Sequence, residues 1–289
     1  MADIVYLNGA LVPYQEVRIS SFDRGFLYGY GLFETMRSYQ GRIFRLDRHL
    51  ARLKRSAERL AFASALEAYD LEQAVYMTLE ANKLGDARIR LTVSAGPGER
   101  GVAPPTDGIT VLVFAERLAL PAQDYEQGIR AAIVSIRRNS QSPLSQIKAT
   151  GFLDNLFAYS QAVALGADEA ILLNDKGFVA EGSMSNIFSV AKGVLLTPSE
   201  ESGILPGITR EDVLELARSL AIQAVEGEIP LDDLLQAEEA FLTSSIREIV
   251  PIASIDGRPI GRGKPGPVTR RLMAAYKHLV ETTLELGPR

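Results

Sequence analysis

The 289-residue chain has no cysteine. That removes thiol nucleophiles, iron–sulfur clusters, thiolate zinc and disulfides together, and it suits a reducing cytoplasm, the expected location. Histidine is almost as scarce, with only His49 and His278. A Ser/His/Asp triad or a histidine-rich metal centre would have to draw on one of them, and neither lies in a suggestive motif, so no metal is expected. No apolar run approaches the ~20 residues of a membrane span. Residues 1–9 carry neither a basic nor an apolar leader region, so no signal peptide is expected. An excess of basic residues is also missing: the formal net charge is −5, which gives no argument for nucleic acid or an anionic membrane as partner.

What is present is an ordinary globular composition, 46% hydrophobic and 23% charged, long enough for one large or two medium domains. Residues 4–12 read as a hairpin through Asn8-Gly9, and residues 32–45 as another through Gln40-Gly41. Residues 20–31 form a glycine- and aromatic-rich loop. A helix is expected over 47–62, with Leu50, Leu53, Ala57 and Leu60 inward and Asp47 as N-cap. Ile89, Leu91 and Val93 alternate with Arg88, Arg90 and Thr92, as in a half-buried strand. Periodicity breaks at Glu116-Arg117-Leu118-Ala119-Leu120-Pro121. The division is therefore a small N-terminal domain over 1–117, a linker over 118–124 and a larger C-terminal domain over 125–289. Helices follow at 152–165, 209–220 and 268–284, among short strands.

Five features could carry chemistry. Gly96-Pro97-Gly98-Glu99-Arg100-Gly101 spells a dinucleotide fingerprint, but Pro104-Pro105 cannot open the helix that motif requires. Leu205-Pro206-Gly207-Ile208-Thr209 and Ser244-Ser245-Ile246-Arg247-Glu248 read as capped helix starts, with Thr209 and Ser245 as the caps. Such starts serve either as plain caps or as anion sites. Arg48, Arg52, Arg55 and Arg59 line one helix stripe, either a solvated face or a source of one inward arginine. Arg88 and Arg90 share a strand face and could clamp a carboxylate. Lys148 and Glu181 each stand among small residues, and each is unremarkable alone.

Together these residues resemble the fold-type IV (class IV) pyridoxal-phosphate enzymes: branched-chain aminotransferases, D-amino-acid aminotransferases and aminodeoxychorismate lyases. The markers occur in the family's order: Tyr28-Gly29-Tyr30-Gly31-Leu32-Phe33-Glu34-Thr35-Met36-Arg37, Arg48-His49-Leu50-Ala51-Arg52-Leu53, Lys148, Glu181-Gly182-Ser183-Met184-Ser185-Asn186, Leu205-Pro206-Gly207-Ile208-Thr209-Arg210 and Thr243-Ser244-Ser245. The resemblance implies a two-domain α+β fold, D-amino-acid aminotransferase-like, and a homodimer. It implies pyridoxal 5'-phosphate as cofactor, with amino and 2-oxo acids as substrates. It matches Lys148 to the lysine that forms a Schiff base and shuttles the proton, and Glu181 to the partner of the pyridine nitrogen. Arg52, Ile208, Thr209 and Ser245 match phosphate ligands, and Leu205 the residue packed on the ring. Tyr28, Phe33, Thr35, Arg37, Arg90, Arg100 and Ile246 match the substrate pocket. Many members carry Asn-Tyr shortly after the lysine, where this chain reads Gly151-Phe152 and lacks the phenol. The pocket markers are mixed. Arg90 and Val102 resemble branched-chain aminotransferases; Arg100 resembles the D-amino-acid enzymes and the lyases; Thr35 and residues 245–251 lean towards the lyase. The expected reaction is transamination between a branched-chain or other apolar amino acid and 2-oxoglutarate. The alternatives are 4-amino-4-deoxychorismate lyase and a D-amino-acid or (R)-amine transaminase.

Overall fold

A computed structural model describes residues 3–98 and 108–285. The chain forms two compact units: residues 1–119 with 147–152, and residues 120–146 with 153–289.

The first unit contains strands β1 (Ile4–Leu7), β2 (Ala10–Pro13), β3 (Gly31–Tyr39), β4 (Arg42–Ile43), β5 (Ala87–Ser94) and β6 (Thr110–Arg117). Its helices are α1 (Arg24–Tyr28), α2 (Leu46–Arg59), α3 (Ala63–Leu66) and α4 (Leu71–Ala81). The strands make one antiparallel sheet in the order β2-β1-β6-β5-β3-β4. Alternation in β5 works as its side chains dictate: Ala87, Ile89, Leu91 and Val93 are fully buried, whereas Arg88 is exposed. Helix α2 buries Leu46, His49, Leu53 and Ala57 at helical spacing. Asp47 does not cap it. The helix begins at Leu46, behind Arg45 in the left-handed region (φ 55°), with no side-chain cap bond. Within residues 20–31 the chain folds the short helix α1, which Asp23 caps by accepting from Gly25 N at 2.8 Å. The same carboxylate accepts from Ser94 and Thr110 hydroxyls, so one buried aspartate ties the α1 segment to two strands.

The second unit contains β7 (Ile129–Arg138), β8 (Glu169–Asn174), β9 (Val179–Gly182), β10 (Asn186–Ala191), β11 (Val194–Pro198), β12 (Ala224–Gly227), β13 (Glu239–Ser244), β14 (Glu248–Ile255) and β15 (Arg258–Pro259). Its helices are α5 (Ala122–Gln127), α6 (Leu153–Ala164), α7 (Ile208–Ser219), α8 (Leu231–Leu235) and α9 (Pro267–Thr283). The nine strands run β12-β11-β10-β13-β14-β7-β8-β9, with β15 beside β14, and β9 also pairs with β10. That extra pairing closes six strands into a ring. It falls on one residue pair, Glu181 opposite Asn186. Glu239 accepts from Val268 N, Thr269 N and Thr269 Oγ1, so a carboxylate satisfies the free N–H groups at the start of α9.

Two sequence expectations differ from this. Residues 118–124 are not all linker, because α5 starts at Ala122. Residues 147–152 belong by their contacts to the first unit, although they lie far beyond position 117. Backbone pairing with β3 is the reason: Phe33 N donates to Lys148 O at 2.9 Å, and Thr150 N to Gly31 O at 2.9 Å.

Candidate active site

Those two bonds anchor Lys148 from both sides, and Thr150 Oγ1 adds a third by donating to Gly29 O at 2.8 Å. The lysine is half-buried. Its Nζ lies 4.5 Å from the Phe33 ring centroid and 6.0 Å from that of Phe152. The two rings meet edge to face at 5.3 Å, so Phe152 fills its position with an apolar ring and offers no hydroxyl. Arg90 stacks on the same Phe33 ring, its Cζ 3.7 Å from the centroid. Burial, and then the charge of Arg88, lower the Arg90 pKa to about 10. Thr35 pairs across the sheet with Arg90 and Arg37 with Arg88, so Phe33, Thr35, Arg37 and Arg90 share one face of the sheet. Arg37 itself stacks on Tyr39 at 4.4 Å, while Arg88 pairs with Glu116. Tyr28 ends α1 and is exposed. Arg100 and Val102 lie outside the described residues.

On the opposite face of β3, Glu34 is buried against α2. Arg52 donates Nε to Glu34 Oε1 at 2.8 Å and Nη2 to Oε2 at 2.6 Å. His49 Nδ1 is 2.7 Å from Oε2, a distance that makes it the donor to an ionised carboxylate. Among the four stripe arginines Arg52 alone is buried; Arg55 and Arg59 are exposed and Arg48 is half-buried. Burial pushes the Glu34 carboxyl up, but Arg52 and His49 outweigh it and hold it at about 2. Burial also lowers the His49 pKa, against the pull of Glu34. A carboxyl whose pKa drops on folding stabilises the fold above its unfolded value, 4.5, and loses that contribution as pH falls towards 2. The difference is worth about 3 kcal/mol. Acid unfolding followed by circular dichroism is therefore expected to be shallower between pH 4.5 and 2 in Glu34→Gln than in wild type.

In the second unit Glu181 lies on the strand that closes the ring. Its Oε2 accepts from Leu205 N at 3.0 Å, and its Oε1 is 2.9 Å from Arg138 Nε. Asn186 ties the same region together by donating Nδ2 to Leu205 O at 2.9 Å. Behind this, buried Glu169 accepts from Ser183 N, Ser183 Oγ and Ala170 N, and burial raises its pKa. Asn155 Nδ2 donates to Ser183 O at 2.7 Å. The turn after Glu181 is thus held from below and from the side.

The phosphate-type site also differs from its sequence picture. Helix α7 starts at Ile208 with Gly207 as N-cap and no side-chain cap bond; Thr209 is its second residue, not its cap. A Cβ at position 207 would collide with Asn186 Oδ1, so a larger residue would have to displace the side chain that donates to Leu205 O. The start of α7 keeps free N–H groups, and Thr209 Oγ1 is buried without a hydrogen-bond partner, as is Thr243 Oγ1. Ser245 opens no helix. Residues 245–247 are the tight turn between β13 and β14, and Ile246 sits half-buried in it. The serine that accepts from Arg247 N is Ser244, at 3.2 Å. A Ser-Ser-x-x-Glu string fits a helix cap or a β-turn equally; pairing of the flanking strands decides for the turn.

An orphaned hydroxyl at an uncapped helix start suits a phosphate ester. A buried carboxylate fixed by Leu205 N and Arg138 suits a protonated ring nitrogen, and an amine flanked by two aromatic rings suits an imine-forming lysine. Among the described residues, no group of His, Asp and Glu could hold a metal ion, and no helix is long and apolar enough to cross a membrane. Arg138 and Glu169 stand in no motif of the sequence, and Glu34 and His49 fall within the family markers without a role of their own. The spacing of His49 and Arg52, one turn apart, was the available signal for the last two.

The chain matches the amino-transferase class IV family over residues 31–255 and belongs to that family. It is 41% identical over 276 residues to a Methanocaldococcus jannaschii protein provisionally named a branched-chain-amino-acid aminotransferase, covering 95% of this chain and 96% of that one. It is 34% identical to the aminodeoxychorismate lyase of Bacillus subtilis (strain 168), covering 97% and 96%. Among solved structures, it superposes on a T.th. branched-chain amino acid aminotransferase with pyridoxamine 5'-phosphate at a TM-score of 0.90. The identity there is 33%, covering 100% of this chain and 96% of that one.

Proposed function

We propose that this protein is a pyridoxal-phosphate-dependent aminotransferase that passes the amino group of a branched-chain or other apolar amino acid to 2-oxoglutarate. The observation that carries this reading is the arrangement around Phe33, where one ring faces both an amine and a guanidinium, Lys148 and Arg90. Full-length similarity to branched-chain aminotransferases supports the substrate class. Bound pyridoxal phosphate supplies an electron sink that weakens the Cα–H bond of an attached amino acid. The rest falls to the chain. Lys148 Nζ would hold the cofactor covalently and, once the amino group of the substrate has displaced it, would be the free amine that takes the proton from Cα. Glu181 would face the ring nitrogen and favour its protonated form, since an opposite charge favours the charged ring. The N–H groups of Ile208 and Thr209, the Thr209 hydroxyl, Ser245 and Arg52 serve the phosphate. Leu205 would pack against the ring. Arg90, poorly solvated and already stacked, is a ready clamp for the substrate carboxylate, while Phe33, Thr35, Arg37, Tyr28, Ile246 and Arg100 shape the pocket.

Steady-state rates test the substrate class. L-Leucine, L-isoleucine and L-valine with 2-oxoglutarate are expected to exceed their D-enantiomers in kcat/KM by at least about a hundredfold, the scale a misplaced polar contact costs. Faster turnover of the D-series would contradict the assignment. The lyase is the second reading, supported by the Bacillus subtilis relative. Release of pyruvate from 4-amino-4-deoxychorismate in preference to amino transfer would establish it.

The working form is a homodimer in the cytoplasm. Helix α6 supports the dimer: Ala158 and Ala162 face the core, while Leu153, Leu156, Phe157 and Val163 form an exposed apolar face. Such a face on a monomer invites a partner, and a second copy supplies an equally apolar one. Phe157→Glu is expected to sediment as a monomer and wild type as a dimer. A monomeric wild type would contradict the proposal.

A further inference from the structure

The buried Glu34–His49–Arg52 cluster does more than fill the first unit. We infer that Glu34, backed by His49, is a positioning residue that fixes the Arg52 guanidinium in advance for the cofactor's phosphate. The inference rests on the reading of Arg52 as a phosphate ligand.

Three observations carry it. Both Glu34 oxygens are engaged by one guanidinium, through Nε and Nη2, in the side-on geometry that leaves no rotation about the plane. His49 holds Oε2 from a second direction, so the carboxylate is itself immobile. All three side chains are nine-tenths or more buried: Glu34 and His49 at 1% exposure and Arg52 at 7%. Stability alone is a poor reason for such a cluster. A buried ion pair gains little over well-packed apolar residues, because desolvating two charges offsets their attraction. A guanidinium that must meet a phosphate has a different requirement. An arginine side chain loses several rotatable bonds on binding, and prior fixing removes that cost from the binding step.

The test compares two ligands that differ only in the phosphate. Apo-enzyme prepared from the holoenzyme is titrated with pyridoxal 5'-phosphate and with pyridoxal. Arg52→Ala is expected to weaken pyridoxal phosphate about a hundredfold and pyridoxal less than about twofold. Glu34→Gln keeps the size of the side chain but loses the charge and one acceptor; it is expected to weaken pyridoxal phosphate about tenfold, again sparing pyridoxal. His49→Gln is expected to lie between Glu34→Gln and wild type. If Arg52→Ala shows the selective loss and neither Glu34→Gln nor His49→Gln does, the inference is overturned while the phosphate reading stands. If Arg52→Ala leaves both affinities unchanged, the phosphate reading fails and takes the inference with it. Equal losses for both ligands in Glu34→Gln would mean that the cluster merely supports the fold. Should Glu34→Gln not fold, the Arg52 Nε–H resonance of the wild-type apo-enzyme decides, with Arg52→Lys for assignment. A single sharp signal that persists on adding pyridoxal phosphate supports a prearranged arginine, and a signal absent until the cofactor is added refutes it.

Discussion

Lys148→Ala is expected to fold, to show no visible imine band with pyridoxal phosphate, and to lose amino transfer by about 10⁴-fold or more. The size follows from two losses in one substitution. Covalent attachment through Nζ disappears, and so does the base that moves the proton, a contribution of about 10²–10⁴-fold in itself. The fold survives because the anchoring of residues 147–152 is through backbone and Thr150: Lys148 O accepts from Phe33 N whatever the side chain is. The Phe33–Phe152 contact also remains, so the pocket wall stays in place. Absorbance and single-turnover amino transfer check this. A variant that keeps the band, or more than about one part in a hundred of the activity, would remove Lys148 from the chemistry.

Glu181→Gln is expected to lower kcat for amino transfer by about a hundredfold while pyridoxal phosphate still binds. A carboxylate beside the ring nitrogen favours its protonated form by roughly one to three pKa units, and the neutral amide forfeits that. The substitution also leaves Arg138 Nε facing an amide where it faced a charge 2.9 Å away, so a lower melting temperature accompanies the kinetic loss. The two effects separate in Glu181→Asp, which keeps a charge at a shorter reach and is expected to recover part of kcat. An unchanged kcat in Glu181→Gln would mean that the ring nitrogen has a different partner.

Most of the scaffold that presents these groups is readable from the chain. Alternation in β5 and the apolar stripe of α2 follow from side-chain period alone, because each element has one wet and one dry face. The hairpin at Asn8-Gly9 follows from the positive φ both residues adopt, 49° and 100°. Helix ends were less readable. Ser245 looks like a cap because a cap and a β-turn both use a short hydroxyl beside free N–H groups; only the pairing of β13 with β14 tells them apart. Gly207 takes the cap position from Thr209, and the Asn186 side chain, 21 residues earlier, lies against it there. The supporting charges were the least legible. Glu34 and Glu169 are ordinary surface types until tertiary packing buries them, Arg138 is one until packing half-buries it against Glu181, and a local pattern cannot show which member of an arginine stripe turns inward. Phe152 was visible as a departure from the family pattern, and its contact with Phe33 gives the residue an apolar role.

Amino transfer by this protein is decided by a single half-reaction. Holoenzyme is mixed with excess L-leucine and no acceptor, and the cofactor is released and identified by chromatography. Complete conversion to pyridoxamine phosphate with one equivalent of 2-oxo acid per site is expected. Cofactor recovered wholly as pyridoxal phosphate, with Lys148 still attached and no 2-oxo acid formed, would contradict it.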